Sequence, residues 1–530
     1  MSSIDKRIPI TILSGFQGYG KSQAIANILK TKQDSLRTVV LTQSVDKVKS
    51  LANANAVKLA DEDCVQLKDG CVCCSLRSEL IGQIYDIANS GQYDYIIIEA
   101  SDASDPEELA STMAVEMEDD EEDDDEAEEE DPDADEHERA ANEKVKQILK
   151  EGGLVKFVKV DSVVSIVNGE KLLDDFHSTE FVGDGEATGD DDEDEEEEST
   201  LTDALISHLE FADVVYLNNA TKLSADAKQH AHGVVKSLNH RAQVVDVDDA
   251  AVQAKDVINA GLFSPEQTFN PQWLKSVKNA NGGDSYVNNN GIESFVYRRK
   301  VPFHPARLAK IFKDNFHFIQ QSDAQDDEWE DQEETEEEDV QDKGKGKAAA
   351  VEEKEESAPL DEITTENIVD AVSRKQKGIF APLLRAKGSF WMASRVAVGG
   401  AIQVSGPVLS AASGEMWYSK IPEEDIAQVS PEEQKYIRDV VFDDKFGDRR
   451  QEIFVVGGPN FNRKEFEQTL DNALLTDDEF NTYKSIFDKQ MGVFDKDEEL
   501  SKAFDGDSEF VQWADDLIMA MMDAEDSDEE

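Results

Sequence analysis

Residues 8–22, IPITILSGFQGYGKS, decide the fold of this 530-residue chain. Ile8 to Ser14 form an apolar, β-branched run that passes directly into GFQGYGKS at 15–22. The residues after it, QAIANILK, place Ala24, Ile25, Ile28 and Leu29 on one helical face. Strand, glycine-rich turn and helix is the setting a phosphate-binding loop requires. Gly15, Gly20, Lys21 and Ser22 fill the pattern G-x-x-x-x-G-K-[ST], with Gly18 inside it and Gln23 next along the helix. Glycines let backbone N–H groups turn inward around phosphate oxygens at a helix N-terminus, where unpaired donors favour anions. Lys21 is expected to reach the β- and γ-phosphates and the Ser22 hydroxyl to ligate Mg²⁺.

Working outward, residues 38–42 (TVVLT) and 95–98 (YIII) read as strands, the second a continuous apolar run expected of a strand buried on both faces. Further short runs lie at 162–167, 213–217 and 244–247, and helical stretches at 76–88 and 225–238. This alternation predicts βαβ units in an α/β sheet. Glu99, Asp102 and Asp105 follow the 95–98 strand directly. Carboxylates at that strand end, beside a phosphate loop, are where Mg²⁺ or its waters would be held.

The chain carries 117 acidic and 53 basic side chains, a formal net charge of -64. Runs at 116–138, 190–198, 323–339 and 523–530 hold 45 of those carboxylates and no Lys or Arg. The remainder is an ordinary, moderately acidic protein. Such runs cannot bury enough apolar area to offset ordering entropy, so they are read as disordered insertions. The charge argues against nucleic acid or anionic membrane as partner. The N-terminal residues lack an apolar h-region and no run approaches 18 apolar residues, so neither a signal peptide nor a membrane span is expected. The expected location is the cytoplasm, or also the nucleus.

Cys64, Cys71, Cys73 and Cys74 fall within eleven residues. Four cysteines in a chain this long make no disulfide framework and point to metal or redox chemistry. Thiolates are strong Zn²⁺ or Cu(I) ligands, and Cys71, Cys73 and Cys74 can converge on one ion if the turn is tight. A site with three protein thiolates keeps a position open, which suits transfer better than structural stapling. Cys64 is a candidate fourth ligand. Buried apolar cysteines and a redox dithiol are the competing readings.

With both motifs in place, the chain resembles the CobW-like GTPases, a metallochaperone group of P-loop GTPases. The resemblance rests on GFQGYGKSQ, on GCVCCSLRSEL at 70–80, on IEASDASDP at 98–106, on VVSIVN at 163–168 and on FADVVYLNNAT at 211–221. It continues in SFVYRRKVPFHPARL (294–308), LLRAKGSFWMASR (383–395) and GDRRQEIFVVGG (447–458). It implies a mostly parallel P-loop GTPase-type sheet with helices on both faces, plus a smaller α+β C-terminal domain. The nucleotide domain would span 5–265 with inserts at about 116–140 and 184–200, and a linker 279–291 would follow. The C-terminal domain would span 292–490 with an insert at about 322–360, and an acidic tail 491–530.

The resemblance further implies a GTP-hydrolysing protein with Mg²⁺ that carries Zn²⁺ on the C-x-C-C cysteines to a metal-requiring client. Lys21 and Glu99 would be its catalytic residues, with Asp102, read from its place after the 95–98 strand, a third candidate, and Asn218 a nucleotide contact. The chain also departs from the family. Its Asn-Lys-x-Asp stands here as Asn218-Asn219-Ala220-Thr221, and Thr221 lacks the carboxylate that pairs with guanine. Losing such a contact costs on the order of 1.5–3 kcal/mol of guanine preference. Asp102 stands where the family has Gly, and Thr42-Gln43 where it has Asn-Glu. Two alternatives accompany this reading: a scaffold that has lost catalysis, and an acidic chaperone for basic proteins.

Overall fold

The computed structural model describes residues 5–57, 59–67, 77–114, 136–182, 199–265, 286–287, 291–320, 365–396, 398–421, 426–427, 434–435, 437–438, 445–504, 508–511 and 513. The N-terminal unit begins β1 (Ile8–Ser14), α1 (Lys21–Thr31), β2 (Thr38–Thr42), α2 (Val45–Ala54), β3 (Cys64–Gln66), α3 (Arg77–Ser90) and β4 (Tyr95–Glu99). It continues with α4 (Pro106–Ala114), α5 (Glu136–Lys150), β5 (Val158–Asn168), α6 (Leu172–Asp175), β6 (Phe181–Val182) and β7 (Ser199–Thr200). The unit closes with α7 (Leu201–Phe211), β8 (Val214–Asn218), α8 (Ala225–Leu238), β9 (Gln243–Asp246) and α9 (Ala254–Val257).

Seven of these strands form one parallel sheet in the order β3-β2-β4-β1-β5-β8-β9. Alternate residues of the apolar strands serve opposite faces. Ile96 and Ile98 join α3 and α4 through Leu80, Ile84 and Leu109. Tyr95 and Ile97 join α1 and α2 through Ile25, Ile28 and Val48. The unbroken apolar runs expected of strands covered on both faces are thereby accounted for. Strand order turns about β1, so the loop after β1 opens at the carboxyl edge, where ligands of open α/β sheets bind.

A buried polar network ties down the other edge. The Asp161 carboxylate, 5 % exposed, accepts from Tyr95 Oη at 2.7 Å, Ala260 N at 3.0 Å and Gly261 N at 2.9 Å. It fastens the segment after α9 to β4 and β5.

The C-terminal unit contains β10 (Tyr286–Val287), β11 (Glu293–Arg299), α10 (Pro305–Asn315), β12 (His317–Gln320), α11 (Thr365–Lys375), β13 (Leu383–Phe390), β14 (Val398–Ser405) and β15 (Val408–Met416). It ends with β16 (Gln451–Gly457), α12 (Arg463–Asp471), α13 (Asp477–Phe487) and α14 (Val493–Ala503). Its seven-stranded mixed sheet runs β10-β11-β16-β13-β14-β15-β12, antiparallel except for β12 beside β15. The two units share an apolar cluster. Leu384, Phe454 and Val456 of the second sheet pack with Leu205, Leu209 and Val234 of α7 and α8. Arg385 pairs with Glu210 at 3.1 Å across the same seam.

Ordered elements reach into the segments read as inserts, linker and tail. Residues 136–140, read as the end of an acidic insert, belong to α5, and Ser199–Thr200 of the second insert pair with β6. The expected linker contains β10, which pairs with β11. The tail read from residue 491 is folded at its start: Leu500, Phe504, Phe510 and Trp513 are buried in C-terminal clusters. Charge density masked those apolar anchors. The remainder of the acidic runs lies outside the described residues. Among those described, no helix is long and apolar enough to cross a membrane.

Replacing Asp161 with Ala removes a buried carboxylate that accepts from the Tyr95 hydroxyl and from two backbone amides, Ala260 N and Gly261 N. In denaturant unfolding of the full chain, Asp161→Ala is expected to destabilise by about 2–4 kcal/mol. The exposed Arg37–Asp94 pair gives the contrast, and Asp94→Ala should cost less than about 1 kcal/mol.

Candidate nucleotide site

The loop after β1 is shaped by two glycines whose backbones other residues cannot easily adopt. At Gly15 (φ +127°) a Cβ would lie 2.3 Å from Ile166 O, so the chain can turn off β1 against β5 only without a side chain. At Gly20 (φ +114°) a Cβ would meet Ala250 Cβ at 2.9 Å and Asn218 Nδ2 at 3.0 Å. Aromatic anchors hold the loop between them. Phe16 and Tyr19 are buried, edge to face with centroids 5.4 Å apart, in the cluster shared with the C-terminal sheet. Tyr19 Oη donates to Asp175 Oδ2 at 2.6 Å.

α1 then begins on Lys21 and Ser22, and both side chains turn toward the end of β4. Lys21 is only 8 % exposed. Its Nζ donates to Ala100 O at 2.8 Å and to Asp102 Oδ1 at 2.6 Å. Asp102 Oδ2 accepts from Gln17 N, inside the glycine loop, at 2.5 Å. Ser22 Oγ donates to Glu99 Oε1 at 2.9 Å, and Thr42 Oγ1 donates to Glu99 Oε2. Glu99 is 6 % exposed, so both of its oxygens are satisfied by hydroxyls at the carboxyl edge of the sheet. An array of two hydroxyls and a carboxylate is a hard, all-oxygen donor set of the kind Mg²⁺ takes.

Asn218 ends β8 and joins three segments. Its Nδ2 donates to Tyr19 O at 2.9 Å, and its Oδ1 accepts from Ala250 N at 2.9 Å and Asn219 N at 3.0 Å. Thr221 N donates to Asp248 Oδ1 at 3.2 Å. Gln23 donates to Asn27 Oδ1 at 3.3 Å, and Asn27 Nδ2 in turn donates to Ala250 O at 2.8 Å. The structure therefore brings Gly15, Gly18, Gly20, Lys21, Ser22, Glu99 and Asp102 around one loop, with Gln23 and Asn218 on its far side.

Three further contributors come from outside the phosphate loop and the β4 strand end. Thr42 reaches Glu99 from β2, and the residues 248–250 close over Asn218. His208 of α7 donates from Nε2 to Ser104 O at 3.2 Å, and its ring lies 5.3 Å from that of Phe16. Burial, with the charge of Lys21 adding, pushes its pKa down to about 4, so this ring is neutral and holds the loop that carries Asp102.

Cys71, Cys73 and Cys74 lie outside the described residues. Their N-terminal approach is described: Leu67 N donates to Thr42 O at 3.0 Å, so the segment departs from the residue whose hydroxyl holds Glu99. Cys64, two residues into the sheet from that edge, packs with Leu13, Val40 and Ile97. Burial pushes its thiol up to about 11, with Lys49 opposing the shift. Among the described residues, no group of three or more His, Cys, Asp or Glu side chains is arranged to hold a metal ion.

Comparison with known proteins follows the same division. Residues 9–128 match the profile of the CobW/HypB/UreG nucleotide-binding domain, and residues 355–474 that of the cobalamin synthesis protein cobW C-terminal domain. Zinc-regulated GTPase metalloprotein activator 1 of Dictyostelium discoideum is 23% identical over 509 residues, covering 94% of this chain and 86% of that protein. The protein of the same name from Saccharomyces cerevisiae is 30% identical over 112 residues, 20% of this chain and 25% of that one. Zn(II)-bound YjiA GTPase from E. coli aligns over 88% of this chain and 99% of its own, at 12% identity and a TM-score of 0.31. Over residues 9–128 and 355–474 the chain is thus similar to a CobW/HypB/UreG nucleotide-binding domain and to a CobW C-terminal domain.

Proposed function

We propose that this chain is a GTP-hydrolysing zinc metallochaperone, which loads Zn²⁺ on Cys71, Cys73 and Cys74 and passes it to a metal-requiring client protein. The observation that carries this reading is the convergence of Lys21, Ser22, Glu99 and Asp102 on the glycine loop. Relatives named as zinc-regulated GTPase metalloprotein activators and as a zinc chaperone support both the nucleotide and the cargo.

In this reading the loop amides and Lys21 bind the phosphates and fix their orientation. Ser22 and Glu99 would hold Mg²⁺, which neutralises charge on the phosphates when bound. Glu99 keeps the Ser22 and Thr42 hydroxyls aligned beforehand, and its position suits it to orient a water at the terminal phosphate. Asn218 and the residues 248–250 would border the base. Zinc is the cargo, and its thiolate set leaves a position open for hand-over. Thr42 would link the two events, since its hydroxyl holds Glu99 while its carbonyl holds Leu67 at the mouth of the cysteine segment. The Asn-Asn-Ala-Thr sequence at 218–221 favours one second reading, a scaffold that binds nucleotide and metal without turnover.

Phosphate-release assays with GTP separate these readings. Lys21→Ala should lower turnover at least about 100-fold by removing a preorganised charge. Wild-type turnover no faster than that variant would establish the scaffold instead. Zinc competition against a chromogenic chelator tests the cargo site. Replacing Cys71, Cys73 and Cys74 together with Ser should abolish tight Zn²⁺ binding, whereas Cys64→Ser should leave most of it. Unchanged affinity in the triple variant would remove the metallochaperone reading.

A further inference from the structure

Asp102 does more than stand near the phosphate loop. Its two oxygens make two different anion-binding contacts, one with the Lys21 ammonium at 2.6 Å and one with the Gln17 amide of the loop at 2.5 Å. A buried lysine and an inward backbone N–H are the groups by which such loops recognise phosphate oxygens. We infer that Asp102 is an internal stand-in for the terminal phosphate, and that it sets the preference of the site between nucleoside diphosphate and triphosphate. The inference rests on the nucleotide-binding reading above.

The carboxylate reaches Lys21 from the β4 side, where Ser22 and Glu99 also meet. Its place is built in by the surrounding backbone. Ala100 N donates to Leu13 O at 2.9 Å, Ser104 N donates to Ser101 O at 3.2 Å, and His208 holds Ser104 O from α7. Asp102 itself remains 32 % exposed, so its side chain can turn out to solvent while the loop stays fixed. A terminal phosphate on Lys21 must displace this carboxylate or lie against a like charge. A diphosphate, one phosphate shorter, can take the remaining loop amides and share Lys21 while Asp102 keeps its contact with the Gln17 amide. Asp102 is therefore a specificity-determining residue that opposes the triphosphate and spares the diphosphate.

The test is equilibrium binding of GDP and of a slowly hydrolysed GTP analogue, both with Mg²⁺, to the full chain and to Asp102→Asn, Asp102→Gly and Lys21→Ala. Loss of a charge-assisted contact at a partly exposed position predicts that Asp102→Asn tightens the analogue about tenfold while GDP changes less than about threefold. Asp102→Gly should repeat the result, which guards against an effect peculiar to Asn. An unchanged analogue-to-GDP ratio, with binding still lost in Lys21→Ala, overturns this inference and leaves the nucleotide site standing. Weaker analogue binding in Asp102→Asn overturns it as well, because Asp102 would then assist the triphosphate. Binding of both nucleotides unchanged in Lys21→Ala overturns both.

Discussion

A lysine ammonium held in a nearly buried position dictates the arrangement around it. Removing such a charge from water costs several kcal/mol unless it is paired and hydrogen-bonded. Lys21 finds a carbonyl at Ala100 and a carboxylate at Asp102, both just beyond β4. That requirement fixes the start of α1 against the end of β4. It also draws the loop between them into a shape that only glycine allows at Gly15 and Gly20. Phe16 and Tyr19 complete the arrangement by burying their rings in an apolar cluster to which Leu384, Phe454 and Val456 contribute. The C-terminal sheet is therefore part of the wall behind the phosphate loop as well as a second domain.

Much of this was legible in the sequence because it is written in local patterns. The apolar run at β1, the glycine spacing and the helical face of α1 adjoin one another, and the run at β4 has the unbroken character of a strand covered on both sides. The partners of those residues were not legible. Thr42 meets Glu99 across 57 positions, and His208 meets Ser104 across 104. Thr42 stands out in the sequence only as a departure from the family's Asn-Glu, and a single His in an apolar helix reads as ordinary packing. Composition alone does not mark where ordered elements end. Leu500, Phe504, Phe510 and Trp513 are apolar anchors within an acidic stretch, and Tyr286 and Val287 extend a sheet from a segment whose Gly and Asn content reads as a linker. Backbone pairing and a few buried rings outweigh composition there.

Under the proposed function, the same geometry would serve as a physical route between nucleotide and metal. Thr42 uses its side chain on Glu99 and its main-chain oxygen on Leu67, the last described residue before the cysteines. A change in what Glu99 and Ser22 bind would be accommodated by the Thr42 hydroxyl, and Thr42 lies one hydrogen bond from Leu67, which precedes the proposed metal-binding cysteines. Coupling of this kind is a difference in free energy between two states of one short element, and it acts equally in both directions. Cys64 packs beneath that element with Leu13, Val40 and Ile97.

Zinc titration of the full chain, with Mg²⁺ and either GDP or a slowly hydrolysed GTP analogue, addresses this coupling most directly. The account predicts zinc dissociation constants that differ by at least about fivefold between the two nucleotides, the lower end of typical allosteric coupling. Identical zinc affinities in both nucleotide states would contradict it.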